Sequence, residues 1–107
     1  MIHRITERRD FERLRDGRRA SGRYVWIRHL ADQDCNPARV AFAIGRQHGS
    51  AVRRNRIRRR LRAALSSPEV HLPPGLYLLG WRHRGDEPGF QDLVDDVELA
   101  VARASRT

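Results

Sequence analysis

The chain has 107 residues, which suits one domain with a single modest hydrophobic core. Its 22 basic residues are all arginine and outnumber 13 acidic residues, so the formal net charge of +9 favours a nucleic acid as partner. No apolar run is long enough to span a bilayer, and Cys35 is the single cysteine, which excludes an internal disulfide bond and fits a cytoplasmic protein.

The apolar pattern switches between helical and extended periods along the chain. The predicted elements, in order, are a helix over residues 5–17, an edge strand over 18–22, strands over 24–30 and 39–45, a helix over 50–66, a strand over 76–82 and a helix over 90–103. Thr6 is the expected N-cap of the first helix and Gly17 its C-cap.

This order predicts an α+β sandwich, in which a small mixed four-stranded sheet packs with three helices. We expect residues 1–107 to form one domain, with flexible ends at residues 1–5 and 104–107. The strand over 39–45, the helix over 50–66 and the strand over 76–82 form a β-α-β unit. Physical chemistry alone makes the crossover of such a unit right-handed.

The helix predicted over residues 50–66 lies in the most basic part of the chain, since residues 45–65 hold eight arginines and no acid. At 100° per residue, one side of this helix carries the apolar residues Ile57, Leu61, Ala64 and Leu65. The opposite side carries an arginine ridge that consists of Asn55, Arg59 and Arg62. Arginines at this spacing repel each other on an isolated helix, so the arginine ridge predicts a polyanionic partner.

A specific motif opens this helix: Gly49-Ser50-Ala51-Val52 is followed by Arg54-Asn55-Arg56 and then by Arg59 and Arg62. The motif closely resembles the signature of the bacterial ribonuclease P protein subunit. An Asp10-Phe11 pair near the N-terminus extends the resemblance, which covers most of the chain and weakens after Pro74.

The resemblance implies a ribonucleoprotein endonuclease in which the RNA subunit is the catalyst and cuts the 5′ leader from precursor tRNA. The protein subunit then binds the catalytic RNA and the leader, has no catalytic residue and holds no cofactor of its own. Magnesium in the holoenzyme is bound mainly by the RNA. The resemblance also implies a left-handed β-α-β crossover, in a fold shared with a ribosomal protein domain.

The expected RNA-binding residues lie on the arginine-rich helix and in the turn before it: Arg46, His48, Arg53, Arg54, Asn55, Arg56, Arg59, Arg60 and Arg62. The resemblance further implies that Phe11, Val25 and Ile27 line a cleft that receives the leader. The residues alone leave a second interpretation of Phe11 open, in which it is a core anchor that holds the first helix to the sheet.

Other functions fit the sequence less well. A general RNA-binding or ribosome-associated protein would have a similar charge, whereas a DNA-reading protein needs side chains that recognise base edges. A stand-alone nuclease needs acid and base residues, and we expect Asp95 and Asp96 to lie on a solvated helix face instead. The five histidines lack the spacing of metal ligands, and neither DNA nor a membrane is an expected partner.

Overall fold

The computed structural model describes residues 2–105 and contains each predicted strand and helix, together with one additional strand. The strands are β1 (His3–Arg4), β2 (Arg18–Ser21), β3 (Val25–Ala31), β4 (Arg39–Ala43) and β5 (Gly75–Trp81). The helices are α1 (Arg8–Arg13), α2 (Ala51–Leu65) and α3 (Phe90–Ser105). Short 3₁₀ turns follow α1 at Leu14–Asp16 and precede α2 at Arg46–His48. The α+β architecture predicted from the sequence is confirmed.

The sheet is mixed, and its strands lie in the order β1-β4-β5-β3-β2. The central strand, β5, runs parallel to β4 and antiparallel to β3. Its central position explains its almost continuous apolar sequence, since all of its residues except Leu78 are buried. α2 connects β4 to β5, so the predicted β-α-β unit is present. The left-handed crossover stays a prediction.

The two faces of the sheet are covered differently. α2 and α3 cover one face and form the main core with Val25, Ile27, Val40, Tyr77 and Leu79 of the sheet. On the other face, a smaller cluster near α1 consists of Ile5, Leu14, Cys35 and Leu76. The remainder of that second face, which we call the open face, carries Trp26, Arg28, Ala43, Leu78 and Gly80.

The additional strand, β1, precedes a first helix that starts later than predicted. The backbone N–H of His3 donates to the oxygen of Ala38, and the N–H of Ile5 donates to the oxygen of Val40. These hydrogen bonds extend the sheet along β4, and Ile5 is buried there. As a result, α1 begins only at Arg8, and its N-cap is Glu7 instead of the predicted Thr6. Flexibility at residues 1–5 and 104–107 stays a prediction, of which residues 1, 106 and 107 lie outside the described residues.

The prediction that Asp96 faces solvent is wrong. Asp96 is buried, and its carboxylate accepts hydrogen bonds from the backbone N–H groups of Arg23, Tyr24 and Val25 at 2.5, 2.8 and 3.1 Å. A Cβ at Gly22 would collide with this carboxylate, so the turn between β2 and β3 needs a glycine at that position. Asp96 therefore ties the start of β3 to α3.

Candidate nucleic-acid interface

α2 presents an apolar side to the core and a basic side to solvent, as its sequence predicts. The helix begins after Ser50, whose Oγ accepts a hydrogen bond from the backbone N–H of Arg53 at 3.2 Å. The residues of the apolar side are buried: Ile57, Leu61, Ala64 and Leu65. The arginine ridge is exposed. Within residues 2–105, neither Arg59 nor Arg62 forms an ion pair, so both positive charges are uncompensated. The guanidinium carbon of Arg62 lies 5.4 Å from the centroid of the Phe42 ring.

A single carboxylate compensates part of the charge of α2. Glu87, in the turn between β5 and α3, lies 3.7 Å from Nε of Arg53, 3.7 Å from Nη1 of Arg56 and 3.5 Å from Nη1 of Arg60. Arg60 also donates to the backbone oxygen of Pro88, which holds this arginine against the turn. The contact with Glu87 shields three arginines in part and leaves the arginine ridge uncompensated.

The turn before α2 holds the other predicted contacts. Arg46 is exposed and His48 is half-buried, with its backbone oxygen accepting a hydrogen bond from Nη1 of Arg53 at 3.0 Å. Burial lowers the pKa of His48, and the positive charges of Arg53 and Arg84 lower it further. The imidazole is therefore neutral at pH 7, and His48 can offer a hydrogen bond there but no charge.

The nine predicted RNA-binding residues lie on α2 and the turn before it, and they fall into two groups. The exposed group consists of Arg46, Asn55, Arg56, Arg59 and Arg62. The half-buried group consists of His48, Arg53, Arg54 and Arg60. The Nε atom of Arg54 is buried without a hydrogen-bond partner among the described residues, so this side chain packs into the protein surface. The exposed group can reach a phosphate without rearrangement; RNA binding by all nine stays a prediction.

The open face carries a depression of about 330 Å³ beside α1. It is lined by Phe11, Leu14, Arg15, Arg19, Trp26, Arg28 and Leu78. The placement of Val25 and Ile27 in this cleft is wrong, because both are 0 % exposed in the main core. They lie on the face of β3 that α2 and α3 cover, whereas Trp26 and Arg28 occupy the alternate positions on the open face.

The orientation of α1 excludes one of the two interpretations of Phe11 and leaves its contact with a leader as a prediction. Phe11 is 43 % exposed and lines the depression, so it is not a core anchor. The anchors are its neighbours in the helical region: Leu14 is buried, and buried Asp10 pairs with Arg39 of β4 at 3.2 Å. Asp10 also lies 3.7 Å from Arg13, so two guanidinium groups compensate its charge.

Trp26 also lines this depression, although it is not among the residues that the sequence predicts there. It pairs with Gly80 across β3 and β5, and a Cβ at Gly80 would collide with its indole, so the ring lies over the bare backbone of β5. The guanidinium carbon of Arg19 is 4.6 Å from the centroid of the ring, a cation–π arrangement. The signal available in the sequence was a tryptophan in alternation with Arg28, which places an aromatic and a cation on one face of a strand.

A second depression joins the open face to the start of α2. Its volume is about 510 Å³, and it is lined by Trp26, Phe42, Ala43, Ile44, Gly45, Gln47, His48, Arg58 and Trp81. Trp26 lines both depressions, so the concave surface runs from α1 across the sheet to the turn before α2 and to Arg58 of that helix. The geometry can accept an extended single strand, with an aromatic surface in the middle and arginines towards both ends.

The acidic residues of α3 face a different part of the surface. Three exposed carboxylates, those of Glu69, Asp95 and Glu98, have oxygens within 4.8 Å of one another. Nε2 of Gln91 donates to Glu69 and to Asp95 at 2.9 Å each, which accounts for the approach of these two side chains.

None of the helices in the described part of the chain has the length and apolarity needed to cross a membrane.

Comparison with known proteins agrees with this geometry. A family model described as Ribonuclease P matches residues 2–105. The ribonuclease P protein component of Thermus aquaticus is 38 % identical over 96 residues, covering 90 % of this chain and 56 % of the relative. The chain thus spans little more than half the length of that relative. The ribonuclease P protein component of Clavibacter michiganensis is 34 % identical over 107 residues and is covered to 95 %.

The fold is also that of a solved structure. The chain superimposes on the RNase P protein of Staphylococcus aureus with a TM-score of 0.80, covering 96 % of this chain and 95 % of that one. The two sequences are 19 % identical, so this likeness concerns the fold. The five-stranded sheet and its three helices are therefore an arrangement that a distant sequence also adopts.

Proposed function

Since this chain belongs to the ribonuclease P protein family, we propose that it is the protein subunit of a ribonucleoprotein endonuclease. In this function it binds the catalytic RNA subunit and the 5′ leader of precursor tRNA. It thereby assists the hydrolytic removal of the leader, which produces the mature 5′ end of the tRNA. The proposed location is the cytoplasm.

The division of labour in this proposal follows from the chemistry of the side chains. The RNA carries the reaction and binds most of the magnesium that the holoenzyme needs, and we assign no catalytic residue to the protein. The protein contributes arginines, which form planar bidentate contacts with phosphates and release counterions when they bind. A net charge of +9 on 107 residues can replace part of the cation requirement of a folded RNA.

The observation that carries the proposal is the continuity between the open face and α2. An RNA-binding protein with general affinity needs only the arginine ridge. A concave surface with Phe11 at its rim and Trp26 at its centre adds a place where unpaired bases can stack. This feature favours recognition of a single-stranded leader over the alternative, a general structural or ribosome-associated RNA-binding protein. The exposed side chains of the ridge suit phosphates and not base edges, so we propose no DNA partner.

We expect the Phe11→Ala and Trp26→Ala variants to bind precursor tRNA more weakly while their affinity for mature tRNA is retained. Stacking of one base on an aromatic side chain contributes about 1 to 3 kcal/mol, so the precursor-to-mature affinity ratio should fall at least about five-fold in each variant. The measurement is tRNA binding by holoenzyme reconstituted with each variant protein.

Ile27→Val is the matched control, because Ile27 neighbours Trp26 in β3 but faces the core. It should lower stability by about 0.5 to 1.5 kcal/mol and leave the ratio unchanged. An unchanged ratio in both aromatic variants would argue for general RNA binding without leader recognition.

A further inference from the structure

We infer that Phe90, at the start of α3, is a second stacking platform and receives an unpaired base of the bound RNA beside the arginines of α2. This inference rests on the proposed function, because it assumes that α2 faces RNA. It extends the interface from the arginine ridge across the flank of α2 that faces α3, a region separate from the open face of the sheet.

Phe90 is the second aromatic residue, after Phe11, that the structure shows both exposed and among cations; 48 % of its surface is exposed. A shallow depression of about 290 Å³ is lined by Phe90, Arg56, Arg59, Arg60 and Ala63. Positions 59 and 60 each lie three or four residues from both 56 and 63, so the four positions share one stripe of α2. Arg59 belongs to the arginine ridge as well. The small side chain of Ala63 leaves room above the helix at the C-terminal end of this stripe.

The charge around the depression identifies the kind of occupant. Arg56, Arg59 and Arg60 contribute three positive charges, and Glu87 contributes one negative charge at 3.7 Å from Arg56 and 3.5 Å from Arg60. The surplus of two positive charges favours an anionic ligand, whereas the aromatic ring favours a planar one. A nucleotide in a single-stranded or bulged RNA segment has both properties, with a base for Phe90 and phosphates for the arginines.

Leu99 is the comparison residue for Phe90, because it is also an exposed apolar residue of α3. It is 44 % exposed, nearly the same as Phe90, but it borders a depression lined by three aspartates, Asp92, Asp95 and Asp96, against one cation, Arg23. An RNA strand would be repelled there. α3 thus carries two apolar side chains of similar exposure in opposite electrostatic surroundings, which supplies a matched pair for an experiment.

Arg60 is held in a way that keeps the platform open. It donates to the backbone oxygen of Pro88 and pairs with Glu87, so its guanidinium group is tied to the turn that precedes Phe90. Arg59, by contrast, forms no ion pair within residues 2–105. Arg59 can therefore adjust its position to contact a phosphate of the RNA, whereas Arg60 stays in place beside the stacked base.

The test is a titration of the full-length protein with a bacterial catalytic RNA subunit, carried out at several salt concentrations, for Phe90→Ala, Phe90→Leu, Phe90→Trp and Leu99→Ala. We expect Phe90→Ala to weaken binding about five-fold or more, and Phe90→Trp to retain the wild-type affinity. The slope of log affinity against log salt should not change, because no phosphate contact is lost. Leu99→Ala should bind like the wild type.

Phe90→Leu separates stacking from packing, since it keeps an apolar side chain but has no aromatic face. A weaker affinity at an unchanged melting temperature supports the platform. If only precursor tRNA binding by the holoenzyme weakens, the stacked base belongs to the substrate and not to the catalytic RNA. Wild-type affinity for both RNAs in Phe90→Ala and Phe90→Leu would overturn the inference, while loss of binding on alanine substitution of Arg59 and Arg62 would still uphold the proposed function.

Discussion

Replacing Asp96 by asparagine is expected to lower the free energy of unfolding by about 1 to 3 kcal/mol. The carboxylate accepts three backbone N–H groups, those of Arg23, Tyr24 and Val25, at 2.5 to 3.1 Å. An asparagine keeps the shape of the side chain but turns one acceptor into an NH₂ donor. At least one buried N–H group then loses its partner and faces another donor. Urea unfolding followed by circular dichroism measures the change.

Asp95→Asn is the control for this substitution, because it removes the same charge from the neighbouring, exposed position of α3. Its expected effect on stability is within about 0.5 kcal/mol. Equal and small effects for the two variants would mean that the carboxylate of Asp96 does not hold the turn between β2 and β3. A large effect for Asp96→Asn alone would show that α3 stabilises the strand that carries Trp26.

Alanine substitution of both Arg59 and Arg62 is expected to weaken RNA binding strongly without affecting the fold. Both side chains are exposed on α2 and point away from the buried Leu61. Each phosphate contact that is lost should flatten the slope of log affinity against log salt by about 0.7 to 0.9, so the double variant should lose about 1.4 to 1.8 in slope. Titration of the catalytic RNA over a range of salt concentrations measures this.

Two control variants test whether a loss of RNA binding is specific to the arginine ridge. The double variant Arg8→Ala, Arg9→Ala removes the same charge from α1, where both side chains are well exposed, and should retain most of the affinity. Leu61→Ala should have the opposite signature, a loss of about 2 to 5 kcal/mol in stability with an unchanged salt slope for the folded fraction. If the ridge variant binds like the wild type, α2 is not the RNA-binding face.

The helices could be predicted from the sequence where one side of the helix differs sharply from the other. In α2, Ile57 and Leu61 lie on the side of the helix opposite to Arg59 and Arg62. A period of 3.6 residues therefore identifies both the helix and the side that faces solvent. The match of the motif around Asn55 then pointed to RNA. These inferences need only local sequence, because they concern one helix and its own two sides.

The cleft could be predicted only in part, because both faces of β3 carry large apolar side chains. Alternation correctly separates Val25 and Ile27 from Trp26. Alternation does not tell which of the two faces of β3 the helices cover. The prediction that Val25 and Ile27 line the cleft was therefore wrong, since these two residues lie in the main core. The deciding fact is the pairing of Trp26 with Gly80 on β5, which lies 54 residues further along the chain.

Three further features depend on contacts between distant residues and have no local signal. His3 and Arg4 form a strand only because β4 offers a free edge, with Arg39 and Val40 as partners. Asp96 is buried because backbone N–H groups more than 70 residues away converge on it. Glu87 contacts Arg60 of α2 from a turn that lies 27 residues further along the chain.

Processing of a precursor tRNA by a bacterial catalytic RNA, with and without this protein, tests the central claim most directly. The account predicts correct cleavage at the mature 5′ end at a lower magnesium concentration when the protein is present, because its arginines replace part of the cation requirement. The protein alone, freed of nucleic acid, should leave the precursor intact. An unchanged magnesium requirement, or cleavage by the protein without RNA, would contradict the account.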